Sequence, residues 1–204
     1  MKKRIYLDYD STLIDFNDYM FEDMKRDMNL NFKVKEIYNY KQEIQKYYDD
    51  KKELNNEGYY NKANFFQGSI EFLKKLKKNN FEIVIITSSM SKEQKKYKMN
   101  HIKNNIEKYI TEVIPARKKH IHSMDGMFID DRVKNIYEHV ENNETFGVLY
   151  NHENIVNNEE DIKEYKLQEY KNYTTLTNYD ELFALICEKY KIIENKKNKT
   201  NKLT

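Results

Sequence analysis

The sequence has few of the features that would place it outside a reducing, aqueous compartment. It contains one cysteine, Cys187, among 204 residues, so no disulfide can form within the chain. No stretch approaches the roughly 20 consecutive apolar residues that a membrane-spanning helix needs. The opening "MKKRIYLDYD" reaches an aspartate after three apolar residues, too few for the apolar core of a signal peptide. We therefore expect a cytoplasmic protein without a membrane partner.

The sequence also lacks an excess of charge of either sign. Its 36 basic and 34 acidic residues are interspersed and leave a formal charge of +2. This balance gives no whole-chain field for DNA, RNA or anionic lipid, so no nucleic-acid partner is expected. Apolar residues make up 39% of the chain, but 18 tyrosines and 10 phenylalanines supply large side chains for a core. We expect one domain with an insertion, and the sequence leaves a homodimer open.

Short apolar runs rich in β-branched and aromatic residues alternate with helical patterns along the chain. The runs lie at residues 4 to 7, 81 to 87, 110 to 114, 126 to 130 and 145 to 150. Among the helical patterns, Ile70, Leu73 and Leu76 fall on one face of a helix. The alternation predicts an α/β fold, a Rossmann-like three-layer arrangement whose parallel sheet binds ligands at the carboxyl ends of its strands.

Two segments depart from this alternation. Residues 17 to 64 contain no strand run but repeat apolar residues at near-helical intervals, which predicts a small helical cap inserted after the first strand. The α/β core would then comprise residues 1 to 16 and 65 to 190. Residues 191 to 204 have few apolar side chains and are expected to form a disordered basic tail.

Two aspartates follow the first predicted strand in "IYLDYDSTLIDF". Asp8 and Asp10 are two residues apart, so in extended chain both side chains project to the same side, toward the ligand-binding edge of the sheet. Two converging carboxylates repel unless a cation lies between them, and Mg²⁺ prefers hard oxygen ligands of this kind. A turn that merely ends a strand also favours aspartate, so this pair alone does not establish a metal site.

Polar residues follow three further strand runs and would meet at the same edge. "FEIVIITSS" ends in the hydroxyls of Thr87 and Ser88, which suit a phosphate but could instead cap the next helix. "ARKKH" offers Lys118 or Lys119 as a point charge for a phosphate. "GMFIDDR" ends in Asp130 and Asp131, whose side chains should face opposite ways, so that only one reaches the metal.

In this order, these stretches resemble the haloacid dehalogenase (HAD) superfamily of phosphotransferases. "DYDST", "IITSS", a lysine and "FIDD" match its four motifs, over residues 4 to about 150. In detail, "LIDF", "NFFQGSIEFL" and "FIDDRVKNI" are similar to the 5'(3')-deoxyribonucleotidases. Where a glycine often follows the second aspartate of the first motif, this chain has Ser11.

The resemblance implies a HAD-like core and a role for each residue. Asp8 would be the nucleophile and Asp10 the general acid and base. Asp8, Asp130 and the backbone carbonyl of Asp10 would hold Mg²⁺. The remaining site residues would bind phosphate, namely Thr87, Ser88 and Lys119 or Lys118, or would support the ligands, namely Asp131 and Arg132.

The resemblance also implies the substrate class. A nucleoside monophosphate would be hydrolysed through an aspartyl-phosphate, with the cap closing over the site. Phe16, Phe65 and Phe66 could stack on the base, although aromatic residues in such a segment more often form its core. Two other readings remain open, namely a phosphatase for another small phosphate monoester and a catalytically weak binding module.

Overall fold

The structure, a computed structural model, describes residues 3–31, 43, 47, 56–89, 91–123, 125–152 and 159–200. Within these ranges the side chains of residues 17–21, 56–57 and 192–200 are not described. Most of the predicted cap between residues 32 and 55 lies outside the described residues, as do residues 201–204 at the end of the predicted tail.

The described residues form a six-stranded, fully parallel sheet. Its strands are β1 (Arg4–Leu7), β2 (Glu82–Thr87), β3 (Glu112–Pro115), β4 (Met127–Asp130), β5 (Gly147–Tyr150) and β6 (Tyr173–Leu176). Their order across the sheet is β3-β2-β1-β4-β5-β6. The first five strands confirm the five predicted runs, and the α/β fold with a parallel sheet is confirmed. The sixth strand was not predicted.

Helices surround this sheet. They are α1 (Phe16–Met28), α2 (Asn56–Lys62), α3 (Ser69–Lys78), α4 (Lys92–Ile106), α5 (Val133–Asn142), α6 (Glu159–Glu164) and α7 (Tyr179–Thr200). Because α7 continues to Thr200, residues 191 to 200 are helical where a disordered tail was expected. Adding residues to an existing helix is much easier than starting one, so a helix anchored by packing can extend into a polar sequence.

Each face of the sheet is buried because neighbouring strand residues point to opposite sides. Ile5 and Leu7 of β1 pack in a cluster with residues of α3, α4 and α7, such as Leu76. Tyr6, between them, belongs to a second cluster that includes Ile136 of α5. The sheet is therefore the middle of three layers, as predicted.

The strand order places a crevice beside β1. From β1 the chain builds outward through β2 and β3, and then crosses to β4 on the other side of β1. In open parallel sheets, ligands bind where the strand order reverses, at the carboxyl ends of the strands. Asp8 comes directly after β1 and Asp130 ends β4, so both lie at this reversal point.

The chain leaves and re-enters the core at one place. Ile14 pairs with Phe65 in an antiparallel bridge, and the backbone N–H of Asp15 donates to the carbonyl of Asn64 at 3.0 Å. Between these points, α1 and α2 pack against each other. The described part of the predicted cap is thus helical. No helix in the described part of the chain is both long and apolar enough to cross a bilayer.

Candidate active site

Three carboxylates converge at the carboxyl ends of β1 and β4. Oxygen atoms of Asp8, Asp130 and Asp131 lie within 4.8 Å of one another. Asp8 and Asp130 are buried, with 5% and 0% of their surface exposed, whereas Asp131 is half-buried. Burial, followed by the charges of Asp130 and Asp8, raises the pKa of Asp131 well above its usual range. The arrangement concentrates negative charge where little water can screen it.

One buried lysine partly neutralises this cluster. The Nζ atom of Lys119 lies 2.7 Å from Oδ1 of Asp8 and 2.7 Å from Oδ2 of Asp130. Burial lowers the pKa of Lys119, but the two carboxylates outweigh that effect and raise its pKa overall. Lys118, the alternative left open by the sequence, has an exposed side chain. A short 3-10 helix at Lys119–Ile121 turns the two neighbouring lysines in different directions.

The donor set fits a magnesium ion. Mg²⁺ takes hard oxygen ligands and is usually held by one or two carboxylates together with substrate phosphate and water. Oδ1 of Asp8 is buried, and the Lys119 ammonium 2.7 Å away is shared with Asp130. One ammonium among three clustered carboxylates leaves negative charge unbalanced in a buried place, and a metal ion would compensate for it.

Asp130 is fixed in place by its own neighbours. Its Oδ1 atom accepts hydrogen bonds from the backbone N–H of Arg132 at 2.9 Å and from Nδ2 of Asn135 at 2.8 Å. The side chain of Arg132 is exposed, so this residue supports the site through its backbone. Asp131, expected to support the ligands, instead lies within the carboxylate cluster.

Asp10 occupies a separate position beside this cluster. Its side chain is 19% exposed, and its Oδ2 atom lies 2.5 Å from Nζ of Lys98. Tyr60, on α2, donates from its hydroxyl to Oδ1 of Asp10 at 3.2 Å. Burial and the nearby charge of Asp8 raise the pKa of Asp10, while Lys98 counteracts them. A raised pKa favours the protonated form that a general acid needs.

The predicted phosphate-binding hydroxyls follow β2. Thr87 is buried, and its Oγ1 atom accepts a hydrogen bond from Nζ of Lys98 at 3.0 Å. Ser88 is half-buried, and its carbonyl oxygen accepts from the same ammonium. Ser91 caps α4, because its hydroxyl accepts from the backbone N–H of Gln94 at 3.0 Å. The cap therefore comes from Ser91, which leaves the hydroxyls of Thr87 and Ser88 at the strand end.

All three predicted base-stacking residues pack on aromatic neighbours. Phe16 is buried and stacks on Tyr60 with ring centroids 4.4 Å apart. Phe66 stacks on His152 at 4.3 Å. Phe16 thus fills the contact between α1 and α2, which is the role that the sequence favoured for most aromatic residues of the segment.

Phe65 also lines a cleft whose walls include Tyr60, the residue that contacts Asp10. Its ring lies parallel to that of His101 with centroids 5.8 Å apart. Burial lowers the pKa of His101, so its ring favours the neutral form. The cleft has a volume of about 490 Å³ and lies between α4 and the segment that ends α2. Its walls include Tyr60, Phe65, Tyr97 and the amide side chains of Asn61, Asn64, Asn100 and Asn104.

Sequence reasoning missed two residues that contact the predicted acid. Tyr60 reaches Asp10 from a segment whose pattern indicated only a helix, so nothing pointed to its hydroxyl. Lys98 belongs to the lysine-rich stretch "KEQKKYKMN". Every fourth residue of a helix lies on nearly the same side, and the buried Gln94, Lys98 and Ile102 have this spacing. This pattern was the available signal for a lysine that faces the sheet.

Comparison with known proteins identifies the fold. No family model and no curated protein matches the chain. Among solved structures, a haloacid dehalogenase-like protein of unknown function from Agrobacterium tumefaciens has a TM-score of 0.66 at 12% identity, covering 93% of this chain and 100% of that one. A predicted phosphatase from Clostridium acetobutylicum has a TM-score of 0.63 at 16% identity, covering 92% and 99%.

A third solved structure has the same fold. A putative HAD hydrolase from Bacillus subtilis, bound to magnesium, has a TM-score of 0.57 at 12% identity and covers 91% of this chain and 98% of that one. At these identities the likeness concerns the fold. The chain has a HAD-like fold, as the sequence resemblance implied.

Proposed function

We propose that the protein is a magnesium-dependent phosphatase that hydrolyses nucleoside or deoxynucleoside monophosphates. The observation that carries this proposal is the contact of Lys119 with both Asp8 and Asp130 at 2.7 Å. It joins the ends of two neighbouring strands into one charged site, with Asp10 beside it. A cationic centre between carboxylates is suited to a phosphate dianion and a metal ion.

Asp8 is proposed as the nucleophile. Its carboxylate would attack phosphorus in line with the leaving oxygen, forming an aspartyl-phosphate while the bond to that oxygen breaks. Lys119 has contacts with two carboxylates among the described residues, and an ammonium has three N–H donors, so one remains for a phosphate oxygen. Lys119 would thereby stabilise charge on the phosphoryl group as it transfers.

Asp10 is proposed as the general acid and base. It would give its proton to the departing ester oxygen and then remove a proton from the water that hydrolyses the aspartyl-phosphate. The raised pKa of Asp10, due to burial and to Asp8, supports the first of these steps. Thr87 and Ser88 would donate hydrogen bonds to the phosphoryl oxygens.

Asp8, Asp130 and the backbone carbonyl of Asp10 are the proposed magnesium ligands, and Asp131 lies close enough to serve as well. When bound, the ion would reduce the repulsion between the attacking carboxylate and the phosphate dianion. Asn135 and the backbone of Arg132 would keep the Asp130 carboxylate oriented toward it.

The cleft that shares Tyr60 with the surroundings of Asp10 supports a nucleotide substrate. Tyr60 both contacts Asp10 and lines the cleft, so the group leaving from phosphorus would extend toward it. Amide side chains can donate and accept hydrogen bonds at the edge of a base, and the rings of Phe65 and Tyr97 offer apolar faces. The same amides could bond the hydroxyls of a phosphorylated sugar, so the aromatic rings are the features that favour a base, and glucose 6-phosphate is the comparison that tests them.

The test has two stages. Magnesium-dependent release of p-nitrophenol from p-nitrophenyl phosphate by the wild type, and not by Asp8→Asn, would establish the phosphatase and exclude a binding module. Specificity constants for dUMP, dTMP, dGMP, UMP, glucose 6-phosphate and phosphoglycolate would then rank the substrates. If glucose 6-phosphate or phosphoglycolate exceeded every nucleotide, the nucleotidase proposal would fail and the phosphatase proposal would stand.

A further inference from the structure

A second buried lysine lies between the proposed acid and the phosphate-binding strand end. Lys98 projects from α4 with 1% of its side chain exposed. Its ammonium contacts Oδ2 of Asp10 at 2.5 Å, Oγ1 of Thr87 at 3.0 Å and the carbonyl oxygen of Ser88. Burying a lysine costs free energy unless its charge is paired and its N–H groups are bonded, and here both conditions are met.

The number of these contacts determines what Lys98 can do. An ammonium carries three N–H donors, and the three contacts of Lys98 use all of them. Lys98 therefore has no donor left for a phosphate oxygen, in contrast to Lys119. Its effect on the reaction must pass through the groups that it holds.

In the contact between Lys98 and Thr87, the ammonium is the donor and the hydroxyl oxygen is the acceptor. Because Lys98 donates to Oγ1, one of the two lone pairs of that oxygen is used and its own O–H proton points away from the ammonium. The hydroxyl is then oriented to donate, as a phosphate oxygen requires. The same ammonium fixes one oxygen of Asp10, and Tyr60 holds the other.

We propose that Lys98 is a positioning residue that holds the carboxylate of Asp10 and the hydroxyl of Thr87 in the geometry needed for phosphoryl transfer. The inference rests on the proposed phosphatase function. Lys98 links the chain after β1 to the end of β2, so one side chain sets the distance between the proton donor and the phosphate-binding hydroxyl.

The experiment compares Lys98→Met with Lys95→Met. Met has a similar length without the charge, and Lys95 is an exposed lysine on the same helix. Both variants and the wild type are assayed with Mg²⁺ on p-nitrophenyl phosphate and on the alkyl phosphate of the substrate panel with the highest specificity constant. Melting temperature and circular dichroism establish the folded fraction of each variant.

The alkyl ester has the poorer leaving group and depends more on a correctly placed acid. For Lys98→Met we expect kcat/KM on the alkyl ester to fall on the order of 10²-fold, and that on the aryl ester only a few-fold. We also expect a burst of p-nitrophenol followed by slow turnover, because hydrolysis of the aspartyl-phosphate needs Asp10 as the base. Lys95→Met should match the wild type.

A merely structural role would lower both kcat/KM values by the same factor and give no burst, and that result would overturn the inference while leaving the phosphatase intact. Lys98→Arg keeps the charge and should recover part of the alkyl-ester activity. If Lys98→Met does not fold, Lys98→Gln replaces it. The same two quantities are then measured, namely the loss of kcat/KM on the alkyl ester relative to the aryl ester and the burst of p-nitrophenol. A wild type inactive on both esters would refute the proposed function, and this inference with it.

Discussion

The hydroxyl of Tyr60 donates a hydrogen bond to Oδ1 of Asp10 across 3.2 Å, so a residue of α2 contacts the proposed acid in the core. Tyr60 is 1% exposed and stacks on Phe16, where α1 begins. The packing of α1 on α2 therefore determines where this hydroxyl lies. A shift of these helices relative to the core would change the environment of Asp10.

Tyr60→Phe tests this contact. The variant keeps the ring stacked on Phe16 and removes only the donor to Asp10, and hydrogen bonds to charged groups contribute about 1.5 to 3 kcal/mol. We expect kcat/KM for an alkyl phosphate to fall about tenfold or more, with little change in melting temperature. Tyr59→Phe, on the same helix, is the control. Equal activities of the two variants would contradict the role of Tyr60.

Asp8→Asn should abolish turnover. The substitution removes the attacking charge but keeps the side-chain shape, and Lys119 retains its contact with Asp130. We expect activity at background level in a phosphate-release assay, with a wild-type circular dichroism spectrum. Asp180→Asn, an exposed aspartate at the start of α7, should keep full activity. Near wild-type turnover by Asp8→Asn would show that another group attacks phosphorus.

Magnesium should stabilise the folded protein. The clustered carboxylates repel one another, and an ion that binds only the folded state adds about 2.7 kcal/mol at a hundred times its dissociation constant. For a chain of this length we expect the melting temperature to rise by about 5 to 10 °C relative to sodium at matched ionic strength. Asp130→Asn should lose most of this rise. A wild type insensitive to saturating magnesium would argue against the site.

Stability should fall in mild acid because of His139. This side chain is fully buried, with Ser123 Oγ 2.9 Å from Nδ1 and Thr145 Oγ1 3.0 Å from Nε2. Burial, followed by the charge of His120, lowers the pKa of His139 from 6.5 to about 4. Below pH 6.5 the unfolded chain therefore binds the proton more readily, so this stability is complete above that pH and is lost as pH falls toward 4.

The size of this effect is on the order of 2 kcal/mol at pH 5. Urea unfolding of the wild type and of His139→Gln at pH 7 and pH 5 would measure it. Since other groups also titrate in this range, the expected result is a difference between the two proteins, namely a smaller loss of unfolding free energy in the variant. Equal losses of unfolding free energy in the two proteins would show that groups other than His139 cause the acid sensitivity.

Ser11 has a backbone conformation that glycine adopts more easily. Its φ is +57°, in the left-handed region, which costs an L-residue about 1 to 2 kcal/mol. Glycine avoids that strain but loses about 0.5 to 1 kcal/mol through its greater freedom in the unfolded chain. We expect Ser11→Gly to leave unfolding free energy unchanged or raise it slightly, and Ser11→Val to lower it. Equal losses in both would indicate that the serine side chain matters more than the backbone.

Four of the five strands that the sequence predicted, β1, β2, β4 and β5, are almost fully buried, since their apolar runs are continuous. The fifth, β3, lies at an edge of the sheet and was predicted from the isoleucines and valine of "ITEVI". The missed strand, Tyr173–Leu176, lies at the edge of the sheet, where partly exposed threonines interrupt any such run. The residues after the predicted strands could be placed at one edge because parallel strands share a direction. The sequence therefore predicted that Asp8, Asp10, Thr87 and Asp130 lie close together.

The direction of the strands could not show which lysines enter the site. Lys118 and Lys119 are neighbours, and only the turn of the 3-10 helix decides which is buried. Lys98 is one of several lysines in a helix of low hydrophobicity, where a solvated surface is the default expectation. Its burial depends on the carboxylate of Asp10, which lies far away in sequence, and the spacing of Gln94, Lys98 and Ile102 within the helix does not identify that partner.

The paired entry and exit of the chain at Ile14 and Phe65 make the inserted segment a replaceable module. Its two ends are held side by side by core residues, so an insert of a different length requires no change in the sheet. A chimaera that carries the equivalent segment of another HAD-fold protein between residues 16 and 64 would keep Asp8, Lys119 and Asp130 in register. Because Tyr60 belongs to this segment and donates to Asp10, such an exchange would replace the contact with the proposed acid together with part of the cleft wall. An insert without a donor at this position would lack that hydrogen bond although the carboxylates and the lysine of the core stay in place.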